Sequence, residues 1–529
     1  MKFSRWLVVV VAAFLAVSCS PTQTKAPPDT VVIGALSDIA SWNPYLAEDA
    51  ADDEILNLIY PSLAVEQVDY QQHPPSFAPS LAESWEWSDD HLVLTFHLRT
   101  DAIWSDGVPV TSKDLLFSRR AQTSDALGWL WSDITDKIET VEAPDAHTVR
   151  YQFTHRYPYQ LMDVNDGPIV PAHAWSQIPF EQWEDTDWRE LVLSAGPFVP
   201  GLHTPQQEIV LERNPHYFVA GRPRIERLVF RIVPSKAGLY NQLLAGSLDL
   251  VNEIPPAEAA RVQDDPNLEL TVFSDRSYTH ICWNLDKNMF ADPQVRRALG
   301  MAIDRETLID AVYGGFGRPS IGPVLSTMWA FNRDLKPLPY DPAGAVKLLA
   351  ESGWEDHDGD GILDRNGQPL AFEVLAPSES EVRKDVCLLI QRDLARIGVL
   401  ATPRLMEWGA VQAAVATGEF DAFVNRWIEP TQVDLEGIWH TAPPGVPTFN
   451  FGHYANPEVD LLLEEVAVAP DFEGRKPLLD RIQALIVADQ PYTFLIENTR
   501  LVGVNSRIRG AEINDATIFF NIDEWEIVQ

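Results

Sequence analysis

The sequence predicts an α/β fold, and three observations lead to that prediction. Short β-rich runs such as "DTVVIGAL" (29–36) alternate with amphipathic helical segments such as "DPAGAVKLLAESGW" (341–354). Two cysteines, Cys282 and Cys387, follow Cys19, so a hydrophobic core rather than a disulfide framework must stabilise the chain. A length of 529 residues is sufficient for two or three domains.

The amino terminus predicts export from the cytoplasm. Two basic residues precede an apolar run at residues 7–17, which is too short for a mature membrane-spanning helix and fits a signal peptide over 1–18. The sequence "LAVSC" resembles a bacterial lipobox, which predicts a lipid on Cys19 and a polar tether over residues 19–30. The alternative is an ordinary signal peptide with an incidental cysteine. Either way we expect a periplasmic or cell-surface protein.

The composition excludes some functional classes. With 77 acidic and 40 basic residues, the formal charge is −37, which argues against nucleic acid as a partner. The 12 histidines lack the spacing of metal ligands, and no GxSxG or HExxH motif occurs. A secreted glycoside hydrolase stays a remote alternative, because it needs two carboxylates about 5–9 Å apart that a sequence cannot locate. We expect a protein that is not an enzyme and needs no cofactor.

Local patterns define individual elements along the chain. "HLVLTFHLR" (91–99) alternates like a half-buried strand, and Thr111 with Asp114 forms a capping box ahead of a helix. The segments 206–218 and 225–234 read as two strands joined by a polar connection. Residues 295–315 predict two helices, the second capped by an aspartate and ended by a glycine pair.

The segment "DHDGDGILDRNG" (356–367) resembles a calcium loop. Gly367 stands where such a loop needs a bidentate glutamate, and the following "PLAFEVLAP" (369–377) alternates like a strand instead of forming a second helix. Glycines and backbone-capping aspartates therefore favour a hairpin without metal. The weak calcium candidates are Asp356, Asp358, Asp360 and Asp364.

Five segments in order resemble one protein family. "LAESWEWSDDHLVLTFHLRTDAIWSDGVPVTSKDLLFS" (81–118) closely resembles the signature region of the bacterial extracellular solute-binding proteins of the dipeptide, oligopeptide and nickel type. The similarity continues through "CWNLDKNMFADPQVRRALGMAIDRETLIDAVYGGFGRP" (282–319) to "DQPYTFLIENTRLVGVNSRIRG" (489–510). It covers essentially the whole mature chain.

The resemblance implies an architecture and a function. It implies a two-lobed α/β protein of the class II periplasmic-binding type, with a hinge and an additional small inserted domain. It further implies a monomeric solute-binding component of an ABC importer that passes its ligand to permease subunits. Peptides are the leading ligand class; the alternatives are an oligosaccharide, a nickel chelate, an opine or haem. The implied domains are lobe I at 31–72, 195–280 and 490–529, the inserted domain at 73–194, and lobe II at 281–489.

The family's anchor for a ligand amino group is altered in this chain. In peptide binders of the family, an Asp lies shortly after a Trp in a segment resembling "GWTGDYxDP". The matching segment "NRWIEPTQVDLEGIW" (425–439) lacks that Asp, and Glu429 and Asp434 are the available substitutes. Each has an alternative to the role of ligand anchor: Glu429 could be a solvated loop carboxylate, and Asp434 could cap a helix.

Aromatic residues complete the predicted binding site. The candidates are Trp42, Tyr278, His280, Trp408 and Trp427. Tyr278 and His280 share one face of a hinge-adjacent strand, while Trp427 precedes the altered anchor. Because the chain contains 17 tryptophans, core packing is the alternative for each of them.

Overall fold

The structure is a computed structural model that describes residues 27–47, 50–129, 131–443, 446 and 448–528. The predicted signal peptide, Cys19 and most of the tether lie outside these residues. Among the described helices, none combines the length and apolar character needed to cross a membrane.

Strands and helices alternate along the chain, as the sequence predicts. The strands are β1 (Thr30–Ala35), β2 (Ala64–Glu66), β3 (Phe77–Pro79), β4 (Ala82–Trp87), β5 (Val93–Leu98), β6 (Ile138–Asp145), β7 (Thr148–Phe153), β8 (Phe198–Thr204), β9 (Glu208–Arg213), β10 (Arg227–Ile232), β11 (Leu250–Val251), β12 (Leu268–Trp283), β13 (Arg318–Pro319), β14 (Asp364–Arg365), β15 (Gln368–Pro369), β16 (Ala371–Pro377), β17 (Leu400–Met406), β18 (Ala422–Ile428), β19 (Tyr492–Asn505), β20 (Ile508–Arg509) and β21 (Glu526–Ile527). The helices are α1 (Ala50–Leu56), α2 (Ser112–Gln122), α3 (Gln160–Asn165), α4 (Ala172–Trp175), α5 (Lys236–Leu244), α6 (Ala259–Gln263), α7 (Pro293–Met301), α8 (Arg305–Tyr313), α9 (Pro342–Glu351), α10 (Glu381–Ala395), α11 (Trp408–Ala416), α12 (Glu436–Trp439), α13 (Pro457–Val468) and α14 (Phe472–Asp489).

One large mixed sheet runs through both halves of the molecule. Its strand order is β17-β16-β18-β12-β19-β11-β1-β10-β9-β8, with β13 paired to β19. The group β11-β1-β10 is parallel, and so is the group β17-β16-β18. Helices connect the strands within each group, as parallel pairing requires. We call the half that contains β11-β1-β10 the first lobe, and the half that contains β17-β16-β18 the second lobe.

The antiparallel strands β12 and β19 join the two lobes. They are 16 and 14 residues long and pair along most of their length, with register shifts between Ser274 and Tyr278 and between Thr279 and His280. Arg276, inside the first shift, has a positive φ of 43°. Because β19 pairs with β11 and β12 pairs with β18, this strand pair forms the connection about which the lobes are arranged.

Each face of the large sheet has its own hydrophobic core. In the first lobe, Val31 and Ile33 face a core shared with the separate four-stranded sheet β4-β5-β7-β6, while Val32 faces the core formed with α5. In the second lobe, Trp283 packs on the α7–α10 side and Tyr278 on the α13–α14 side. The predicted alternation of side chains along β12 is therefore confirmed. The predicted domain boundaries stay a prediction.

Several local predictions are confirmed at atomic detail. The backbone N–H of Thr111 donates to the Asp114 carboxylate at 2.8 Å, which forms half of the predicted capping box. Asp304 caps α8 by accepting from the backbone N–H of Thr307 at 3.1 Å, and Gly314 ends that helix with φ 60°. The predicted strands at 206–218 and 225–234 form as the shorter antiparallel pair β9 and β10.

Candidate functional site

A cavity of about 490 Å³ lies between the two lobes. The first lobe contributes residues that follow β10 and β11, and the second lobe contributes the start of α10 and the end of β18, with the joining strands between them. In α/β sheets, ligands bind in the crevice outside the carboxyl ends of parallel strands, which is where this cavity lies. Its polar lining consists of Glu54, Lys236, Asn252, Glu253, Asp275, Thr279, Tyr313, Ser380, Arg383, Arg426, Asn498, Thr499 and Arg500.

A second cavity of about 360 Å³ continues this space along the first lobe. The two share Ala51, Glu54, Lys236, Asn252 and Glu253 in their walls. The apolar part of the second cavity includes Ile33, Leu36, Ile39, Phe230, Ile518 and Phe519. A polar cleft that opens into an apolar pocket can hold a ligand with both a charged part and an apolar side group.

Hydrogen bonds order the floor of the cleft. The Thr279 hydroxyl lies 3.1 Å from the Tyr313 hydroxyl and donates to Asn498 Oδ1 at 3.2 Å. Asp275 accepts from both Arg426 and Arg500, the latter at 3.0 Å. The floor is built from strands β12 and β19, so movement of the lobes about these strands changes the shape of the cavity.

The structure places the predicted aromatic residues outside the lining of this cavity. Trp42 is buried in the first-lobe core, where it packs edge-on against His203 at 5.7 Å. Tyr278 and His280 are buried on the opposite face of β12, and burial lowers the pKa of His280 to about 3. His280 stacks on Tyr492 at a ring distance of 4.2 Å. As ligand-binding residues these three stay predictions.

Two predicted tryptophans lie nearer to the surface of the second lobe. Trp408 is 38% exposed, and the guanidinium of Arg383, a cavity residue, lies over its ring at 5.4 Å. Trp427 is partly buried and meets Phe449 edge-on at 5.5 Å. Trp408 therefore borders the cleft through Arg383, whereas Trp427 packs at the edge of the α13–α14 core.

Glu429 and Asp434 differ in their surroundings. Glu429 is 2% exposed, and its Oε1 makes no hydrogen bond with any described residue. Burial, with a smaller contribution from Asp434, raises the pKa of Glu429 to about 8. Asp434 is exposed and accepts from the backbone N–H of Glu436 at 2.9 Å, which is the predicted alternative of a helix cap.

The loop that resembles a calcium site forms an exposed hairpin. Asp356 accepts from the backbone N–H groups of Gly359 at 2.7 Å and Gly361 at 3.1 Å, and β14, inside the segment, pairs with β15 directly after it. Ligand oxygens of Asp356, Asp358 and Asp360 lie within 4.8 Å of one another. No residue of the loop lines the cleft cavity, and its aspartates fulfil the predicted role of capping their own backbone.

Sequence reasoning missed the arginines of the cleft. Arg383 lies three residues after Ser380, the N-cap residue of α10, and six residues after the end of the strand predicted at 369–377. The rule that parallel strands present their carboxyl ends to a ligand could have drawn attention to that loop. No comparable signal marks Arg426 or Arg500, because each sits in a strand whose neighbours the sequence does not reveal.

Two lobes, a joining strand pair and a cleft between them define a solute-binding protein of the periplasmic type. The family model described as "Bacterial extracellular solute-binding proteins, family 5 Middle" matches residues 76–445. The chain therefore belongs to family 5 of the bacterial extracellular solute-binding proteins, and the family predicted from the five sequence segments is confirmed.

Individual relatives agree with this membership. The oligopeptide-binding protein AppA of Bacillus subtilis is 26% identical over 501 residues, which cover 94% of this chain and 91% of AppA. Heme-binding protein A of Haemophilus influenzae is 26% identical over 467 residues, covering 84% of this chain and 83% of the relative. The structure of B. subtilis AppA in complex with a nonapeptide aligns with a TM-score of 0.76 over 94% of this chain and 99% of that one.

Proposed function

We propose that this protein captures peptides in the cleft between its lobes and passes them to the permease of an ABC importer. One observation carries the proposal: the chain matches an oligopeptide-binding protein over 94% of its length and has a cavity between its two lobes. The adjoining apolar pocket suits a peptide side chain, and the hydrogen-bonding groups of the cleft suit a peptide backbone.

A thermal-shift screen tests the ligand class. The mature domain should be heated with pools of di-, tri- and oligopeptides and, separately, with oligosaccharides, an opine, nickel–histidine, haem and calcium. A peptide at a hundredfold its Kd is expected to stabilise the fold by about 2.7 kcal/mol, which gives a clear rise in Tm. A response to one of the other solutes, with none to any peptide, would contradict the proposal and name the solute that replaces it.

Glu429 is the proposed anchor for the peptide amino group. It follows Trp427 by two residues, one fewer than the Asp of the family segment, and it is buried close enough to Tyr278 for its charge to add to the rise that burial causes in the pKa of that hydroxyl. An ammonium group placed against a buried carboxyl would favour its ionised form and lower its pKa. Because Glu429 is buried and does not line the 490 Å³ cavity, a ligand can reach it only after the surrounding residues move.

Peptide binding is therefore expected to release a proton from Glu429. At pH 6.5 the free carboxyl, with its pKa of about 8, is protonated, and an ion pair with the ligand ammonium would ionise it. Calorimetric titrations in buffers of different ionisation enthalpy should show about one proton released per peptide. Glu429→Gln should abolish the release and weaken binding, while Asp434→Asn, which removes only the smaller cause of the raised Glu429 pKa, should keep most of both. Proton-neutral binding by the wild type would exclude Glu429 as the anchor.

The amino terminus completes the proposed function. The lipobox-like "LAVSC" supports a lipid on Cys19, and residues 20–29, which precede β1, supply a polar tether long enough to hold the folded body near a membrane surface. Such an anchor would keep a monomeric binder close to its permease, which raises the rate at which the two meet.

A further inference from the structure

Tyr159 connects the two halves of the molecule. It immediately precedes α3, in the segment after β7, and it belongs to the core that the four-stranded sheet shares with the first lobe. Its hydroxyl nevertheless donates to the carbonyl oxygen of Val433, at 3.0 Å and 274 positions further along the chain. Val433 is part of the second-lobe core on the α13–α14 side. A side chain of the first-lobe core is therefore bonded to the second lobe.

The ring of Tyr159 is also held by the second lobe. Phe472, the first residue of α14, meets the ring edge-on at 5.5 Å. The guanidinium of Arg475 lies 4.8 Å from the ring centroid. Arg475 is buried, and its Nε makes no hydrogen bond with a described residue, so the aromatic face is a favourable partner for this desolvated cation. Both the polar and the aromatic part of Tyr159 thus contact the second lobe.

Phe472 makes the two hydrophobic cores continuous. It packs against the first-lobe core that contains Tyr159 and against the second-lobe core that contains Val433. It also meets Trp329, of the second-lobe core, edge-on at 5.3 Å. Separation of the lobes at this point would expose two aromatic side chains to water, which the hydrophobic effect opposes.

The part of the chain that carries Tyr159 is fixed to the first lobe. Tyr45, in the segment after β1, donates its hydroxyl to the carbonyl oxygen of Pro168 at 2.7 Å. The backbone N–H of Ala64, at the start of β2, donates to Oδ1 of Asn165, the last residue of α3, at 2.8 Å. Because α3 is bonded in this way, it moves with the first lobe. Opening of the lobes therefore breaks the contacts of Tyr159.

The contacts of Tyr159 lie at the end of the sheet where the cleft opens. Val433 is in the loop after β18, and Arg426, near the end of that strand, lines the 490 Å³ cavity. In α/β sheets, ligands bind outside the carboxyl ends of the parallel strands, and this loop leaves β18 at that end. A second contact reaches the same loop from β2, because Thr431 makes a side-chain hydrogen bond with Glu66. Closure of the lobes about the joining strands brings such groups together.

We propose that Tyr159, Phe472 and Arg475 form an interlobe clasp, which holds the cleft closed and must break before a ligand enters or leaves. None of the three lines the two cavities of the cleft, so the clasp acts on every ligand class alike. It shifts the equilibrium between closed and open lobes by the free energy of its own contacts. The clasp residues therefore set how often the cleft opens.

A distance measurement in the ligand-free protein tests the clasp. Spin labels on Glu139→Cys in β6 and on Glu465→Cys in α13 would occupy exposed positions of the two halves. Cys282 and Cys387 are buried, and Cys19→Ser removes the remaining thiol. Double electron–electron resonance then measures how the distance between the labels is distributed. The result does not depend on the peptide-binding proposal, because no ligand is added.

Weakening the clasp is expected to populate a second, longer distance. The wild type should show mainly the shorter distance of the closed lobes. Tyr159→Phe removes one hydrogen bond and should lower the ratio of closed to open molecules about fivefold. Tyr159→Ala also removes the ring contacts and should lower that ratio on the order of 30-fold or more. Phe472→Ala combined with Tyr159→Ala should lower it by less than the product of the two separate effects, because the two side chains contact each other.

Tyr157→Phe is the matched control. The Tyr157 hydroxyl is buried and donates to Asp163 Oδ2 at 2.6 Å, and both residues lie in the same segment after β7 as Tyr159. The substitution removes the same atom from a hydrogen bond that does not join the lobes. It should therefore keep the wild-type distance distribution, while Tyr159→Phe changes it.

Two results would overturn the proposal. One is a wild type that shows only the longer distance, and the other is a wild-type distribution in both Tyr159→Phe and Tyr159→Ala. A lower Tm of Tyr159→Ala with an unchanged distribution would assign Tyr159 to the stability of the fold alone. Tyr159→Phe keeps the ring and its core packing, so it supplies the answer even where Tyr159→Ala does not fold.

Discussion

Replacing Asp249 by alanine is expected to lower the free energy of unfolding by about 3–5 kcal/mol, because the substitution breaks a buried ion pair and leaves its cation unpaired. Asp249 is fully buried and accepts from Arg507 Nε and Nη2, both at 2.6 Å, and from the backbone N–H of Val32 at 2.8 Å. These contacts hold β1, the start of β11 and the segment after β19 together. Urea unfolding of the two proteins measures the difference.

An exposed ion pair provides the matched control. Glu373 and Arg404 lie on the neighbouring strands β16 and β17 at 3.0 Å, with about half of each side chain exposed. Solvent screens such a pair, so Glu373→Ala should cost less than about 1 kcal/mol. Similar losses in Asp249→Ala and Glu373→Ala would show that burial of the Asp249 pair contributes nothing.

The stability of the ligand-free protein is expected to fall as the pH rises from about 5 to 8, and Glu429 should account for a large part of the fall. Its pKa is about 8 in the folded state and 4.5 as an ordinary glutamate. A raised carboxyl pKa stabilises the fold fully below pH 4.5 and loses that contribution as the pH rises through 8. At roughly 1.4 kcal/mol per pH unit, the loss from pH 5 to 8 is about 4 kcal/mol.

Glu429→Gln isolates this contribution from that of other carboxyls. Burial also raises the pKa of Asp166 and of Glu54, each to about 7, so the wild-type slope has several sources. Urea unfolding at pH 5, 6, 7 and 8 should give a shallower slope for Glu429→Gln than for the wild type. Asp434→Asn removes only the smaller of the two causes of the raised Glu429 pKa and should keep most of the wild-type slope. Parallel slopes for Glu429→Gln and the wild type would contradict a buried, protonated Glu429.

Features determined by nearby residues were predictable from the sequence. The capping aspartate of α8 acts on a backbone N–H three residues away, and the turn glycines of the 356–367 hairpin adopt the positive φ that their residue type permits. The alternation along β12 follows from strand geometry alone. Such features depend on a few bonds of the local chain, so a single sequence contains the information needed to predict them.

Features determined by distant residues were not predictable in the same way. The sequence does not reveal that Asp275 lies beside Arg426 and Arg500, which are 151 and 225 residues away. The tryptophans show the same limit of sequence reasoning. Tryptophan is common in binding sites, yet Trp42 and Trp427 pack against the hydrophobic cores. A motif identifies Glu429 as a candidate, whereas its burial depends on residues that are distant in the chain, such as Tyr278.

The long strand β19 has a consequence for the order in which the protein can be made. It lies between β11 and β12 in the sheet, yet residues 492–505 follow almost every other strand in the chain. Until the ribosome has released this segment, β11 and β12 each present an open edge of the kind through which nascent chains aggregate. The two halves of the sheet can join only after synthesis of that segment, so the nascent chain stays incompletely folded for most of translation.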